Sequence, residues 1–351
     1  MTVPPGSTIG ILGGGQLGRM LAMAAAQLGY RSHVYAPGPS GPASEVAARW
    51  THAPYEDADA LRRFAGQVDV ITYEFENVDV AALRGIAGVQ PSIRALEVAQ
   101  DRLAEKEFAA THGGTPAPFR AVSSLEELHA AARDIGLPAI LKTRRFGYDG
   151  KGQVRIAAED GLAEAWARIG EKPAVLEGLV AFEAEFSIIL ARGQGGEVVR
   201  WPAATNVHRD GILDTSTVPP SGIVAAQEAE AAALAERIAA ALGYVGVLAC
   251  EFFASADGPI FNEMAPRVHN SGHWTIEGAV TSQFQNHIRA VCGLPLGSTA
   301  LVGKGAEMRN LIGGAADDWG TILVDPAAHL HLYGKGIGRA GRKMGHVTRV
   351  T

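Results

Sequence analysis

Apolar positions near the start of the chain fall into short runs separated by helical stretches. Residues 8–12 form an apolar run, and a glycine-rich turn at 13–18 leads into an alanine-rich helix that reaches about residue 28, with Gly29 as its stop. A second run at 31–36 ends at Pro37-Gly38-Pro39, a helical stretch covers 58–66, and 68–73 reads as a buried strand. Alternation of strand and helix predicts a parallel sheet covered on both faces. Pro91 and Ser92 open a helix, capped by Ser92, that runs to about residue 111. The run Gly113-Gly114-Thr115-Pro116-Ala117-Pro118 then breaks the chain, so a first domain ends between 91 and 118.

Beyond that break the pattern is α+β. Strands are expected at 119–122, 139–143, 153–156 and 174–176, with a helix at 124–135. A hairpin is expected from 185–190 and 197–203, then a long helix at 225–242 stopped by Gly243, and a helix at 281–291. The tail from about residue 295 has short strands and a basic end.

Between the last two helices lies a second hairpin, with strands at 249–255 and 259–263 around Ala256-Asp257-Gly258. A three-residue loop with Gly258 in the left-handed position pairs Ser255 with Pro259 and sets Glu251 opposite Glu263. Directly paired residues share a face, about 5 Å apart at their β-carbons. Two carboxylates there suit a hard cation such as Mg²⁺. A solvated hairpin face is the plainer alternative, and a two-residue turn would shift the register and separate the pair. The segment that follows, Asn262-Glu-Met-Ala-Pro-Arg-Val-His-Asn-Ser-Gly-His-Trp274, is too dense in polar groups to be ordinary core.

Composition narrows the class. With 351 residues, 47% hydrophobic and 19% charged, the chain has core material for two or three domains. A net charge of −6 argues against bulk nucleic-acid binding. Cys250 and Cys292 sit in apolar segments without metal-ligand spacing, which suits core thiols in a reducing cytoplasm. No apolar run is long enough to span a bilayer, and residues 1–7 lack the pattern of a signal peptide.

Three further segments suggest anions. Gly13-x-Gly15-x-x-Gly18 matches the dinucleotide fingerprint, yet no acidic residue follows the second strand until Glu45, so a phosphate-bearing or ribosyl ligand other than NAD is expected at that turn. Gly147-Tyr-Asp-Gly-Lys-Gly152 is not a Walker motif. With Lys142, Arg144 and Arg145 beside it, it reads either as a flap over a triphosphate or as a plain hairpin tip. After Asp325 there is no acidic side chain, while Lys335, Arg339, Arg342, Lys343 and Arg349 are present, either a phosphate-monoester site or a solvated basic end.

These pieces together resemble the ATP-grasp superfamily and, within it, the N5-carboxyaminoimidazole ribonucleotide synthetase family. The resemblance covers essentially the whole chain. It rests on GGQLGRM at 14–20, TYEFENV at 72–78, GYDGKGQ at 147–153, NVHRDGIL at 206–213, NEMAPRVHNSGHW at 262–274 and GRKMGH at 341–346. It implies an α/β enzyme: an N-terminal Rossmann-like (pre-ATP-grasp) parallel-sheet domain, a split α+β ATP-grasp core and a small C-terminal β-rich domain. The expected units are 1–98, 99–180 with the glycine flap, 181–297 with the metal site, and 298–351.

The implied reaction joins ATP, bicarbonate and 5-aminoimidazole ribonucleotide (AIR). Bicarbonate attacks the γ-phosphate, the carboxyphosphate formed breaks down to CO₂ and phosphate, and the exocyclic amine of AIR captures the CO₂. By resemblance, Glu251 and Glu263 hold Mg²⁺ or Mn²⁺. Arg102, Lys142 and the flap Gly147, Tyr148, Asp149, Gly150, Lys151, Gly152 and Gln153 contact the nucleotide phosphates. Glu177, Gly178, Leu179 and Val180 line the adenine pocket, Glu185 takes the ribose hydroxyls, and His208 and Asn262 complete the nucleotide site. Gly15, Gln16, Leu17 and Glu74 face AIR, whose 5′-phosphate falls to Lys335, Arg342 and Lys343. Arg267, His269 and Asn270 face bicarbonate and the amine, and Tyr148, Asp149 and Lys151 close over the intermediate. Phosphate, His269 and Asp149 all remain open as acceptor of the amine proton. The resemblance further implies a cytoplasmic homodimer. Competing readings are the formate-dependent glycinamide ribonucleotide formyltransferase of the same superfamily, an NAD-dependent dehydrogenase, and a non-catalytic nucleotide-binding regulator.

Overall fold

Runs that are apolar on both faces become inner strands of a covered sheet. In the computed structural model, which describes residues 2–147 and 152–351, the first four strands are β1 (Thr8–Leu12), β2 (Arg31–Ala36), β3 (Arg49–His52) and β4 (Val70–Tyr73). They form a parallel sheet in the order β3-β2-β1-β4. Helices α1 (Gln16–Gln27), α2 (Ala58–Ala65), α3 (Val80–Leu83) and α4 (Ile93–Ala99) belong to this unit. β3 carries no strong apolar signal, and its four residues are all at least partly exposed.

The helix expected over 92–111 is two helices, α4 and α5 (Arg102–Thr111). Asp101 starts the second, its carboxylate accepting the Leu103 and Ala104 amides. The same carboxylate takes both donors of the Arg144 fork at 2.9 and 2.6 Å, so the chain turns where a distant arginine needs an acid.

A small antiparallel sheet follows, β5 (Phe119–Val122), β6 (Ala139–Thr143), β7 (Gln153–Ile156) and β8 (Ala174–Gly178), ordered β5-β8-β6-β7. Helices α6 (Leu125–Ile135) and α7 (Leu162–Arg168) pack with it. The large sheet contains β9 (Ala184–Arg192), β10 (Val198–Arg200), β11 (Ala204–Arg209), β12 (Ile212–Val218), β13 (Gly246–Ser255), β14 (Gly258–Ala265), β15 (Ala306–Ile312), β16 (His329–Leu332) and β17 (Lys343–Val350). Its order is β14-β13-β9-β11-β12-β15-β17-β16, with β10 beside β9. The C-terminal strands therefore extend the sheet that carries Glu251 and Glu263. The long helix α8 (Gly222–Ala241) lays Leu234, Ala235 and Ile238 over Ile188, Leu248 and Phe252. Short α9 (Thr275–Gly278), α10 (Gln283–Val291) and α11 (Trp319–Ile322) complete the helices of the described residues. Both cysteines are buried and free.

The turn expected between β13 and β14 is corrected. Ser255 pairs with Gly258, so the loop has two residues, Ala256 and Asp257. That turn alone would put Asn262 opposite Glu251. A β-bulge next to Glu251 absorbs Asn262, and Glu251 pairs with Glu263 after all.

His287 on α10 joins the first sheet to the large one. Its Nδ1 accepts the Val247 amide at 3.1 Å, so Nε2 carries the proton toward Thr72 Oγ1 at 2.7 Å. Burial lowers its pKa to about 3. Below about pH 6.5 the unfolded chain protonates this histidine and the folded one does not. Its contribution is therefore complete at pH 7 and declines as pH falls from 6.5 toward 3. We expect the stability advantage of the parent over His287→Gln to shrink by about 2 kcal/mol between pH 7 and pH 5. Urea unfolding of both proteins at the two pH values checks this, and an unchanged difference would refute it.

Candidate functional site

A cleft of about 730 Å³ opens where the first sheet, the large sheet and the C-terminal strands meet. Gly15, Gln16, Leu17 and Glu74 line one wall, and Glu251, Glu263, Arg267, His269 and Asn270 a second. Arg102 and Gly147 line it from the flap side, and Lys335, Arg342 and Lys343 close it with positive charge. Residues expected to face AIR and the carboxyl transfer are thus brought together. Asn270 is 8% exposed, and neither polar atom of its amide finds a hydrogen-bond partner among the described residues.

The glycine fingerprint has a specific use here. Glu74 leaves β4 and accepts the Gly15 amide at 2.6 Å, at the amino end of α1. A β-carbon on Gly13, whose φ is +119°, would lie 2.5 Å from Glu74 Cγ, and one on Gly15 would lie 2.9 Å from Oε1. The glycines make room for an internal carboxylate where a dinucleotide would place its pyrophosphate. Burial raises the pKa of Glu74, against the opposing pull of the Gly15 amide.

The paired carboxylates are held differently. Glu263 Oε2 meets Arg102 Nη1 at 3.0 Å; burial would raise its pKa, but Arg102 and Lys142 outweigh that and hold it low. Glu251 is raised to about 7 by burial and by Glu263. Two carboxylates this close, one of them raised by burial and by the other's charge, fit a hard divalent cation, which would favour the ionised form of both.

His269 lies beside Glu251, its Nε2 3.2 Å from Oε1. The Ser271 amide and hydroxyl both face Nδ1, at 3.4 and 2.9 Å. An amide can only donate, so Nδ1 accepts and Nε2 carries the proton toward Glu251. The hydroxyl of Ser271 is met by Ser187 at 2.7 Å, Ser187 receives Asn206 Nδ2 at 3.2 Å, and Asn206 Oδ1 accepts Ser216 at 2.8 Å. Donors thus run in one direction across β12, β11 and β9 into the imidazole. Burial and the adjacent Arg267 keep His269 neutral. Arg267 itself meets Glu76 Oε2 with Nε at 2.9 Å and Nη2 at 2.8 Å, and donates to the Val268 carbonyl.

Of the expected nucleotide residues, Arg102, Gly147 and Glu263 line the cleft, and the other described ones lie outside its lining. Lys142 Nζ donates to Glu177 Oε2 at 2.8 Å. Glu185 Oε2 lies 2.6 Å from His208 Nδ1, and although burial opposes protonation, Glu185 raises the imidazole pKa. Gly178 ends β8, Leu179 is exposed and Val180 partly so, while Gly152 is the turn residue before Gln153, which begins β7. Asn262 is the bulge residue. These positions do not line the cleft; they extend from its Arg102 and Glu263 end. Tyr148, Asp149, Gly150 and Lys151 lie outside the described residues.

Sequence reasoning gave no role to Glu76, Glu105 or Ser271, and it counted Arg339 in the basic tail without placing it among the residues that take the 5′-phosphate. Glu76 lies within the quoted TYEFENV motif, in the turn that follows β4, where strand alternation no longer assigns a face. Arg339 also lines the cleft.

Three family models match in order: a ribonucleotide synthetase preATP-grasp domain over 6–100, an ATP-grasp domain over 107–284 and a phosphoribosylaminoimidazole carboxylase C-terminal domain over 306–351. The N5-carboxyaminoimidazole ribonucleotide synthase of Brucella melitensis is 52% identical over 356 residues, covering 99% of this chain and 98% of that relative. The Pseudomonas aeruginosa protein of the same name is 46% identical, covering 97% and 93%. Among solved structures, the Thermus thermophilus synthetase superposes with a TM-score of 0.91 at 47% identity, covering 98% and 93%. An Aspergillus clavatus synthase in complex with ADP and AIR gives 0.89 at 32% identity, covering 98% and 94%. Identity at this level along the full length leaves one assignment: the chain belongs to the N5-carboxyaminoimidazole ribonucleotide synthase family of ATP-grasp enzymes.

Proposed function

We propose that this chain carboxylates AIR at its exocyclic amine, consuming ATP and bicarbonate and releasing ADP and phosphate, in purine biosynthesis. One observation carries the reading: a single cleft joins a ribosyl-type glycine turn, a carboxylate pair suited to a divalent ion and a cluster of lysine and arginine. In this reading Arg102, Lys142, Gly147, Gly152 and Gln153 hold the ATP phosphates, with Tyr148, Asp149, Gly150 and Lys151 over them. Glu177, Gly178, Leu179, Val180, Glu185, His208 and Asn262 seat the nucleoside. A Mg²⁺ or Mn²⁺ held by Glu251 and Glu263 would neutralise charge on the transferring phosphoryl group.

Gly15, Gln16, Leu17 and Glu74 orient AIR, and Lys335, Arg342 and Lys343 take its 5′-phosphate. Arg267 and Asn270 position bicarbonate and the amine. With its proton on Nε2, His269 orients Glu251 and is not poised to take the amine proton there, which favours phosphate or Asp149. Among the described residues no helix is long and apolar enough to cross a membrane. We place the enzyme in the cytoplasm as a homodimer, a state that light scattering measures directly.

Incubation with ATP, AIR and labelled bicarbonate should give labelled, acid-labile product and one ADP per label. ADP release with formate and glycinamide ribonucleotide in its place would instead support the formyltransferase. Arg342→Ala and Lys343→Ala should each raise KM for AIR about 10–100-fold with a smaller change in KM for ATP. Equal effects on both substrates would contradict the phosphate assignment.

A further inference from the structure

β14 is the edge of the large sheet, so its outward backbone groups need partners from elsewhere. Two consecutive residues of α5 supply them around the bulge. Lys106 Nζ donates to the Asn262 carbonyl at 3.2 Å, and Glu105 Oε1 accepts the Met264 amide at 2.6 Å. These two groups flank Glu263. Glu105 is 2% exposed and Lys106 is 1% exposed. Burying two ionisable side chains is costly unless each makes specific contacts, and an apolar pair would pack a helix onto an edge strand as well. Lys106 also reaches Glu177 Oε2 at 3.2 Å, and Arg102, one turn earlier, grips the Glu263 carboxylate itself.

We propose that Glu105 and Lys106 are positioning residues: they fix the bulge of β14 and thereby set Glu263 against Glu251. The role in metal binding rests on those two carboxylates holding the divalent ion. Neither residue touches substrate in this account. Glu105 closes the backbone on one side of Glu263, and Lys106 ties the other side to the carboxylate at the nucleotide end.

The test uses the full chain and readings other than turnover. Hydrogen exchange at the Met264 amide, without metal or nucleotide, reads the strand. Mn²⁺ titration followed by electron paramagnetic resonance, with ADP present, reads the ion site, and thermal unfolding reads the fold. Glu105→Leu should speed Met264 exchange at least about tenfold, and Glu105→Leu and Lys106→Met should each weaken Mn²⁺ binding about tenfold. Glu105→Gln keeps a carbonyl acceptor and should remain within about threefold of the parent on both readings. A folded Glu105→Leu with parental exchange and parental Mn²⁺ affinity would overturn the proposal. If Lys106→Met does not fold, the two Glu105 variants decide it. Glu251→Gln separates the premises: unaltered Mn²⁺ binding in that variant removes the metal reading, while Met264 exchange still supports or overturns the bracing of β14.

Discussion

Glu263→Ala is expected to lower AIR-dependent ADP release by about a thousandfold or more, close to 4 kcal/mol of lost transition-state stabilisation. The carboxylate has two neighbours that feel its removal. Arg102 loses its 3.0 Å anionic partner and keeps only the Gly147 carbonyl as an acceptor. Glu251 loses the like charge that helps hold it near 7. Phosphoryl transfer is mainly positioning and charge neutralisation, so a site that has lost one of its two acidic groups keeps its fold and fails at the chemical step. Steady-state ADP release beside a circular dichroism melt checks both halves. Turnover within tenfold of the parent would remove Glu263 from the phosphoryl-transfer machinery.

Arg267→Leu should cost both stability and turnover. Its guanidinium donates from Nε to Glu76 Oε2, pairs with the same oxygen through Nη2, and donates to the Val268 carbonyl. Leucine fills the volume but strands the Glu76 carboxylate in a mostly buried setting. Breaking such a pair from one side costs about 3–5 kcal/mol. Because Arg267 also faces the cleft, we expect turnover to fall about a hundredfold or more. Arg267→Lys keeps the charge and loses the fork, so it should recover part of the stability and little of the rate. Urea midpoints for both variants, with kcat for each, check this. Parental stability in Arg267→Leu would mean that Glu76 is satisfied some other way.

The architecture was legible wherever apolar periodicity was strong. β1, β2, α1 and α8 follow their runs closely because burial on defined faces set those sequences. β3, with partly exposed residues, left little trace. The split between α4 and α5 was hidden for another reason: Asp101 is a cap whose value depends on Arg144, 43 positions away. The hairpin shows the limit most clearly. Turn chemistry led to the correct pairing of Glu251 with Glu263 through the wrong loop length, since the compensating bulge is held by α5 side chains 156 and 159 positions distant. Local sequence does not encode such contacts. Likewise, the glycine fingerprint was visible, but not that its Gly15 amide is taken by Glu74 of the same chain.

The order of the large sheet also bears on synthesis. β17 (Lys343–Val350) lies between β15 and β16, although both precede it in sequence. On the ribosome, β15 can pair with β12 early, but β16 has no neighbour to dock on until residues 343–350 emerge. Pairings across such sequence distances form slowly and leave an open strand edge in the meantime. Lys343 begins that late strand and Lys335 lies just before it. The cationic wall of the cleft is therefore assembled last, and a nascent chain completes its anion-binding surface only after the acidic hairpin is in place.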